Sequence, residues 1–192
     1  MKIRVVIADD DIITRMDLKE RLVERGYIVV GEASDGIEAI EQCRLKEPDL
    51  TLMDIKMPLL NGLDAAKTIY DEDLSDCIVM ISAYSDKNLV DIAGDIGVMG
   101  YIVKPFRDNA LFPAIEIALK RCEEMTILKC EMEESNRRLN NRIVVDKAKG
   151  ILMQRKGMTE ESAYQYIRNM SMDKRKSMKD VAEMIIMSNE IL

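Results

Sequence analysis

Ile3-Arg-Val-Val-Ile-Ala-Asp-Asp-Asp11 decides the fold, because it is a short apolar run that stops on a cluster of carboxylates. A run of this length reads as a strand buried on both faces, which implies a parallel sheet covered by helices. Further runs at Ile28–Ala33, Leu50–Met53, Ile78–Ile81 and Tyr101–Val103 alternate with segments of helical period. The first such segment carries Ile12, Met16, Leu18 and Leu22 as a broad apolar stripe before Gly26 stops it. Gly36 begins the second, with Ile37, Ile40 and Leu45 as its apolar positions. Pro58 and Gly62 punctuate the loop before the third, and Gly97 and Gly100 bracket the turn into the last strand. Strands alternating with helices predict an α/β chain of βα units on a doubly wound sheet.

The strand ends carry the chemistry. Asp9 and Asp10, Asp54, Ser82, and Lys104 followed by Pro105 all close such runs, so they project from one edge of the sheet. That edge is where open α/β sheets place their ligands. Three carboxylates gathered there repel one another unless a divalent cation lies between them. An oxygen-rich, histidine-free cluster suits Mg²⁺ better than zinc, so both a metal and a phosphoryl group are expected.

Composition narrows the remaining choices. Apolar residues make up 47% and charged residues 33% of 192 residues, an ordinary soluble balance. The longest apolar stretches fall well short of the roughly 20 residues a membrane span needs. The N-terminal Met-Lys-Ile-Arg runs straight into the first strand, leaving no room for a signal peptide's apolar core. A cytoplasmic protein without a membrane partner is expected. Cys43, Cys77, Cys122 and Cys130 have no CxxC spacing, and the chain has no histidine, which excludes the usual zinc patterns and any Ser-His-Asp or Cys-His catalysis. Any phosphoryl group must therefore arrive from another molecule. The net charge of −7 is unevenly spread: residues 1–120 hold 14 basic against 23 acidic groups, a net of −9, and residues 136–192 hold 12 against 7, a net of +5. Two ends so charged suit different partners.

From about Leu111 the pattern changes, since no glycine follows until Gly150 and Pro113 is the last proline. A single long helix is expected. Met125, Leu128, Met132 and Leu139 follow a three-four spacing, with Ser135 in the missing seam position, which reads as a weak coiled coil over residues 115–142. Beyond it, helices are separated by Gly157 and by a turn at Met172–Lys176. Thr159 is a candidate N-cap, and Ser177 with Asp180 forms a capping-box pattern. Ala163, Tyr164, Ile167 and Met170 supply the apolar face of the middle helix, with Tyr164 packed inside and Tyr166 outward.

Taken in order, Ile-Ala-Asp-Asp-Asp at 7–11, Leu-Met-Asp-Ile-Lys-Met-Pro at 52–58, Ser82-Ala83, and Tyr-Ile-Val-Lys-Pro-Phe at 101–106 resemble the receiver domain of two-component response regulators over residues 1–120. The resemblance implies a flavodoxin-like sheet of five parallel strands. It makes Asp54 the residue phosphorylated by a sensor histidine kinase or a small acyl phosphate. Asp10, Asp54 and the Lys56 carbonyl would ligate Mg²⁺, with Asp9 acting largely through water. Lys104 and Ser82 would contact the phosphoryl oxygens, Ser82 and Tyr101 would form the switch, and Lys104-Pro105 would be cis. A phosphatase of the haloacid dehalogenase type, the rival Asp-and-Mg²⁺ chemistry, needs a carboxylic acid two residues after its nucleophile. Here Lys56 stands at that position, so the chain is expected not to be an enzyme.

Arg-Ile-Val-Val-Asp-Lys-Ala-Lys-Gly-Ile-Leu-Met at 142–153, Glu-Ser-Ala-Tyr-Gln-Tyr-Ile-Arg at 161–168 and Lys-Asp-Val-Ala at 179–182 resemble an ANTAR domain over residues 135–192. That resemblance implies three helices that bind tandem hairpins in leader mRNA as a homodimer and cause transcription antitermination. Arg142, Lys147, Lys149, Arg155, Lys156, Arg168, Lys174, Arg175, Lys176 and Lys179 form the candidate basic surface, with Tyr166 available to stack on a base. Dimerisation is expected to be promoted by phosphorylation, although the seam suits a permanent dimer equally. A DNA-binding regulator is the competing reading; the last helix, Val181 to Ile191, has no arginine or lysine to read bases and disfavours it. A receiver acting only through protein contacts stays open.

Overall fold

The computed structural model describes residues 2–83, 87–105 and 107–190. Phe106 of the Lys-Pro-Phe string and Ile191 of the last helix lie outside them. The strands are β1 (Arg4–Ala8), β2 (Ile28–Ala33), β3 (Leu50–Asp54), β4 (Ile78–Ser82) and β5 (Gly100–Val103). Between and after them come α1 (Ile12–Glu24), α2 (Gly36–Lys46), α3 (Gly62–Asp71), α4 (Lys87–Ile96), α5 (Asp108–Lys156), α6 (Glu160–Lys174) and α7 (Met178–Glu190). The chain divides into two compact units, Met1–Thr126 and Ile127–Leu192. The single helix α5 contributes residues to both.

In the first unit all strand pairings are parallel and the order is β2-β1-β3-β4-β5. Alternate residues along each strand serve opposite faces, as a period of two requires. Val5, Ile7, Leu50, Leu52, Val79 and Ile81 pack with Leu18 and Leu22 of α1 and with Leu111 and Ile115 of α5. Val6, Ala8, Met53 and Met80 pack with Ala39 and Cys43 of α2, Ala65, Ala66 and Ile69 of α3 and Ala93 of α4. Helices cover both faces, which is why the central strands read as continuous apolar runs.

Local chemistry starts the helices where it should. Asp11 caps α1 by accepting from the Ile13 amide at 3.1 Å, and Asp35 caps α2 by accepting from Ile37 and Glu38 at 2.9 Å. Gly26, at φ +93°, terminates α1 in a conformation that favours glycine.

The stripes predicted on α1 and α2 are narrower than expected. Ile12 and Met16 are exposed, leaving Leu18 and Leu22 buried, and on α2 Ile37 and Leu45 are exposed while the small Gly36, Ala39 and Cys43 are buried. The cause is close packing: α2 runs near enough to the sheet and loop that a Cβ at Gly36 would lie 2.4 Å from the Leu60 carbonyl oxygen. Small residues fill the fully buried positions of that face, and Ile40 packs half-buried beside them.

The second unit builds its core from Ala148 and Leu152 of α5, Ala163 and Ile167 of α6, and Val181, Ala182 and Ile185 of α7. Thr159 and Ser162 form the capping box that starts α6, and Ser177 and Asp180 form the one before α7, with bonds of 3.1 and 3.2 Å. The turn between α6 and α7 begins later than expected, because α6 continues to Lys174 and Arg175 takes the left-handed conformation. Helix α5 is 49 residues long, starts already at Asp108 and holds Pro113 inside its early turns. Met125, Leu128, Met132 and Leu139 along it are each more than half exposed. Of the cysteines, Cys43, Cys77 and Cys122 are buried and Cys130 on α5 is exposed; all are free thiols. Among the described residues no helix is long and apolar enough to cross a membrane.

Candidate functional site

Register brings the predicted site together. Ala8 lies opposite Met53, Asp54 opposite Ile81, and Ser82 opposite Val103, so the C-terminal ends of β1, β3, β4 and β5 finish side by side. Asp9 and Asp10 follow β1, Asp54 and Ser82 end β3 and β4, and Lys104 follows β5. Asp9, Asp54 and Ser82 are buried, while Asp10 is exposed. One carboxylate oxygen each from Asp9, Asp10 and Asp54 lie within 4.8 Å of one another. Lys104 Nζ donates to Asp9 Oδ2 at 2.6 Å and reaches Asp54 Oδ1 at 3.1 Å. Its backbone amide donates to the Ser82 carbonyl at 2.7 Å, and the Lys104–Pro105 peptide is cis.

These neighbours set the charges. Burial pushes the Asp54 carboxyl above its ordinary range; Lys104 opposes that shift, and the charges of Asp9 and Asp10 add to it. Burial alone would weaken the charge on Lys104, but the bond to Asp9 and the charge of Asp54 outweigh it and hold the ammonium more basic than usual. Among the described residues, the Lys104 ammonium pairs with Asp9 and Asp54 while Asp10 adds a third carboxylate, so an excess of negative charge remains in this cluster. A hard divalent cation with oxygen ligands fits that excess, and neither a thiolate nor an imidazole competes for it.

The side chain of Lys56 is exposed on the loop leaving β3. Tyr101 pairs in register with Met80 and packs half-buried against the core that α3 and α4 cover. Two roles escaped sequence reasoning, that of Arg15 and the packing role of Gly62, which the sequence marks only as loop punctuation. Arg15 on α1 donates from Nη1 to the Asp9 carbonyl and so fixes the backbone that presents the acidic pair. Gly62 starts α3 with its amide on the Ile55 carbonyl at 2.8 Å, where a Cβ would lie 1.9 Å from the Asp54 carbonyl oxygen. A glycine just after an asparagine N-cap was a visible signal for Gly62; Arg15 offered none, because an arginine on a helix reads as solvated surface.

The basic residues of the second unit separate into groups. Lys149 bonds to Asp146 at 2.7 Å and Glu160 at 2.8 Å, which ties α5 to α6 and raises its pKa, Asp146 contributing most. Arg142 pairs with Asp146 at 4.0 Å, and Lys179 with Glu183 at 3.5 Å. Arg155, Lys156 and Lys174 instead surround one cavity, together with Tyr166. Lys147, Arg168, Arg175 and Lys176 are exposed. The tyrosines reverse the expected placement: Tyr164 is 42% exposed, whereas Tyr166 packs partly against the small core with Lys156 Nζ 4.7 Å from its ring centroid. Ala163 and Ile167 turn the other face of α6 inward, so Tyr164 is carried out to solvent.

Sequence comparison matches residues 5–116 to the response regulator receiver domain and residues 133–186 to the ANTAR domain. The transcriptional regulatory protein PdtaR of Mycobacterium tuberculosis is 46% identical over 183 residues, covering 95% of this chain and 89% of its own length. The chemotaxis protein CheY of Thermotoga maritima is 40% identical over 112 residues, 58% of this chain and 93% of its own. Among solved structures, the CheX–CheY–BeF3–Mg complex of Borrelia burgdorferi aligns with a TM-score of 0.57 at 27% identity, covering 59% of this chain and 86% of that one.

Proposed function

The chain belongs to the response regulators, joining a receiver domain to an ANTAR domain, and from that premise we propose that phosphorylation of Asp54 controls binding of the C-terminal domain to leader RNA. The observation that carries the receiver half is Lys104 Nζ held between Asp9 and Asp54 at the joint ends of the strands. In this reading an Asp54 carboxylate oxygen attacks phosphorus. A new O–P bond forms, the bond to the donor's imidazole nitrogen or acyl oxygen breaks, and its electron pair leaves with the donor. A sensor histidine kinase is the proposed donor, and an acyl phosphate substitutes for it.

Asp9, Asp10, Asp54 and the Lys56 carbonyl would hold Mg²⁺, which supplies charge neutralisation between the entering phosphoryl oxygens and the carboxylates. The magnesium in the related CheY complex supports that choice. Lys104 keeps Asp54 anionic against its burial and then pairs with a phosphoryl oxygen. The Ser82 hydroxyl donates to another phosphoryl oxygen. This bond exists only in the phosphorylated state, so it is the differential contact that moves the equilibrium. Tyr101 repacks in response and carries the change to the surface of α4, β5 and α5. No further catalysis is proposed beyond slow return of the phosphoryl group to water.

The output is antitermination. The exposed Met125, Leu128, Met132 and Leu139 pair two chains, and two basic ends engage two adjacent hairpins, gaining affinity through effective concentration. The relative's designation as a transcriptional regulator supports an effect on transcription. We assign residues 1–120 to the receiver, 115–142 to the linking coil and 135–192 to the RNA-binding part, and place the protein in the cytoplasm. The test is transcription in vitro through a leader with two adjacent hairpins, the second overlapping a terminator. Read-through should rise with wild type plus acetyl phosphate and not with Asp54→Ala. Unchanged read-through together with no binding to the leader defeats the proposal.

A further inference from the structure

Cys77 stands just before β4, at the edge of the sheet opposite the acidic cluster, and Cys122 lies on α5. Two periodicities bring them together. Residues two apart on a strand share a face, so Cys77 joins Val79 and Ile81 in the core that α1 and α5 cover. On α5, Leu111, Ile115, Ala118 and Cys122 follow a three-four spacing and form the buried stripe that meets those strands. The helix comes close here. A Cβ at Gly100 would lie 3.3 Å from the Ala118 Cβ and 3.2 Å from Val79, one turn before Cys122. The two thiols are hydrogen-bond partners, and Cys77 is 2% and Cys122 7% exposed.

We infer that Cys77 and Cys122 are a redox site, which hydrogen peroxide converts to an internal disulfide that fastens α5 to the start of β4. The Cys77 thiol donates to the Cys122 sulfur, and that bond holds the Cys122 thiol more acidic than usual against burial and the charge of Asp76. The same bond, and burial after it, push the Cys77 thiol up, so it keeps its proton. One sulfur is thus the nucleophile and the other the proton source. The Cys122 thiolate attacks one peroxide oxygen: an S–O bond forms, the O–O bond breaks, and the departing hydroxide takes up a proton as water. Cys77 then attacks the sulfenic sulfur of Cys122. An S–S bond forms, the S–O bond breaks, and the leaving hydroxide takes the Cys77 proton. Two thiols lose two electrons in all, and the peroxide is reduced to two waters. Burial shuts out bulky reagents, whereas hydrogen peroxide is close to water in size. A thiol reductant reverses the bridge by exchange, as suits a transient disulfide in a reducing compartment. Between the two cysteines run α4, β5 and the packed start of α5, so the bridge restrains the face that the proposed relay repacks. The dithiol itself stands independently of that relay.

The test uses the full chain carrying Cys130→Ser, which removes the exposed thiol and with it cross-links between chains. Reduced protein, freed of reductant, is treated with hydrogen peroxide beside a parallel sample of glutathione, then unfolded in an alkylating agent and mapped by mass spectrometry. Peptides joined through Cys77 and Cys122 should appear, while Cys43 is recovered alkylated. Dithiothreitol should return both bridged cysteines to the alkylated form. The oxidised chain should melt roughly 5 °C or more above the reduced one, since the bridge closes a long loop. Dimedone should capture a sulfenic acid at Cys122 in Cys77→Ser, and far less at Cys77 in Cys122→Ser. Recovery of both cysteines as free thiols under conditions that fully oxidise the glutathione overturns the inference, and so does a bridge that forms only in urea. A bridge that leaves the melting temperature unchanged or lower overturns the fastening of α5.

Discussion

Lys104 Nζ stands 3.1 Å from Asp54 Oδ1, so the proposed phosphoacceptor is ion-paired before any phosphoryl group arrives. The same ammonium is closer still to Asp9, at 2.6 Å. It therefore sits as a counter-ion shared by two buried carboxylates, one of which is the proposed site of a mixed anhydride. When Asp54 takes up a phosphoryl group, that lysine already lies beside the new negative charge.

Phosphorylation should depend on each partner separately. With acetyl phosphate and Mg²⁺, intact-mass measurement should show one added phosphoryl group on wild type and none on Asp54→Ala. Lys104→Met should slow its appearance by roughly a hundredfold, the scale on which one preorganised charge acts in a transition state. Chelation of Mg²⁺ should suppress labelling in both. Label on Asp54→Ala at the wild-type rate would place the acceptor elsewhere.

Gly62→Ala should destabilise the receiver by about 1–3 kcal/mol or more, the range found for overpacking. The added Cβ would overlap the Asp54 carbonyl oxygen, a backbone atom unable to turn aside. Denaturant unfolding followed on the first unit measures the loss. A neutral result would mean that α3 can shift away from β3 freely.

Ser177→Ala should cost about 1 kcal/mol in local stability of α7, the usual worth of an N-cap. Its partner gives the effect a pH dependence. The Asp180 carboxyl is held below its ordinary range, first by hydrogen bonding to Ser177. A depressed folded-state pKa contributes stability above the unfolded value, about 4, and loses it as pH falls through the folded one. The protection of α7 amides, taken against intrinsic exchange at each pH, should thus fall at acid pH in wild type and show less acid dependence in Ser177→Ala.

Leu128→Lys should abolish self-association while leaving the melting of the separate units within error. The side chain is 59% exposed in one chain, so its replacement removes little intrachain packing. Sedimentation with and without acetyl phosphate distinguishes a gated dimer from a permanent one. Retention of the dimer in the variant would move the interface off the proposed seam.

The central strands were legible because burial on two faces leaves an unbroken apolar run, as in Ile78–Ser82, and the half-buried edge strand Ile28–Ala33 matches its sequence bounds as well. The site was legible because its members sit at the ends of those runs. Helix faces were less so. Ile37 and Leu45 are larger than Ala39 and Cys43, and size suggested burial, yet close approach of α2 gave the fully buried positions to small residues and left Ile40 half-buried. Tyr164 and Tyr166 were reversed for a related reason: two residues apart on a helix point to different sides, and only the position of Ala163 and Ile167 against α5 and α7 settles which side is inner. The Lys149–Glu160 ion pair was invisible as well, since it joins two helices, beyond any local spacing rule.

Cys130 is the exposed thiol of a chain whose other three cysteines are buried. Buried thiols in apolar surroundings react slowly, and Cys43 is pushed up to about 11 by burial. A maleimide spin label or fluorophore can thus be attached to the unaltered protein at one place on α5. Dipolar coupling or energy transfer between two such labels would turn the native side chain into a ruler for chain pairing, with no engineered cysteine and no disturbance of the acidic cleft.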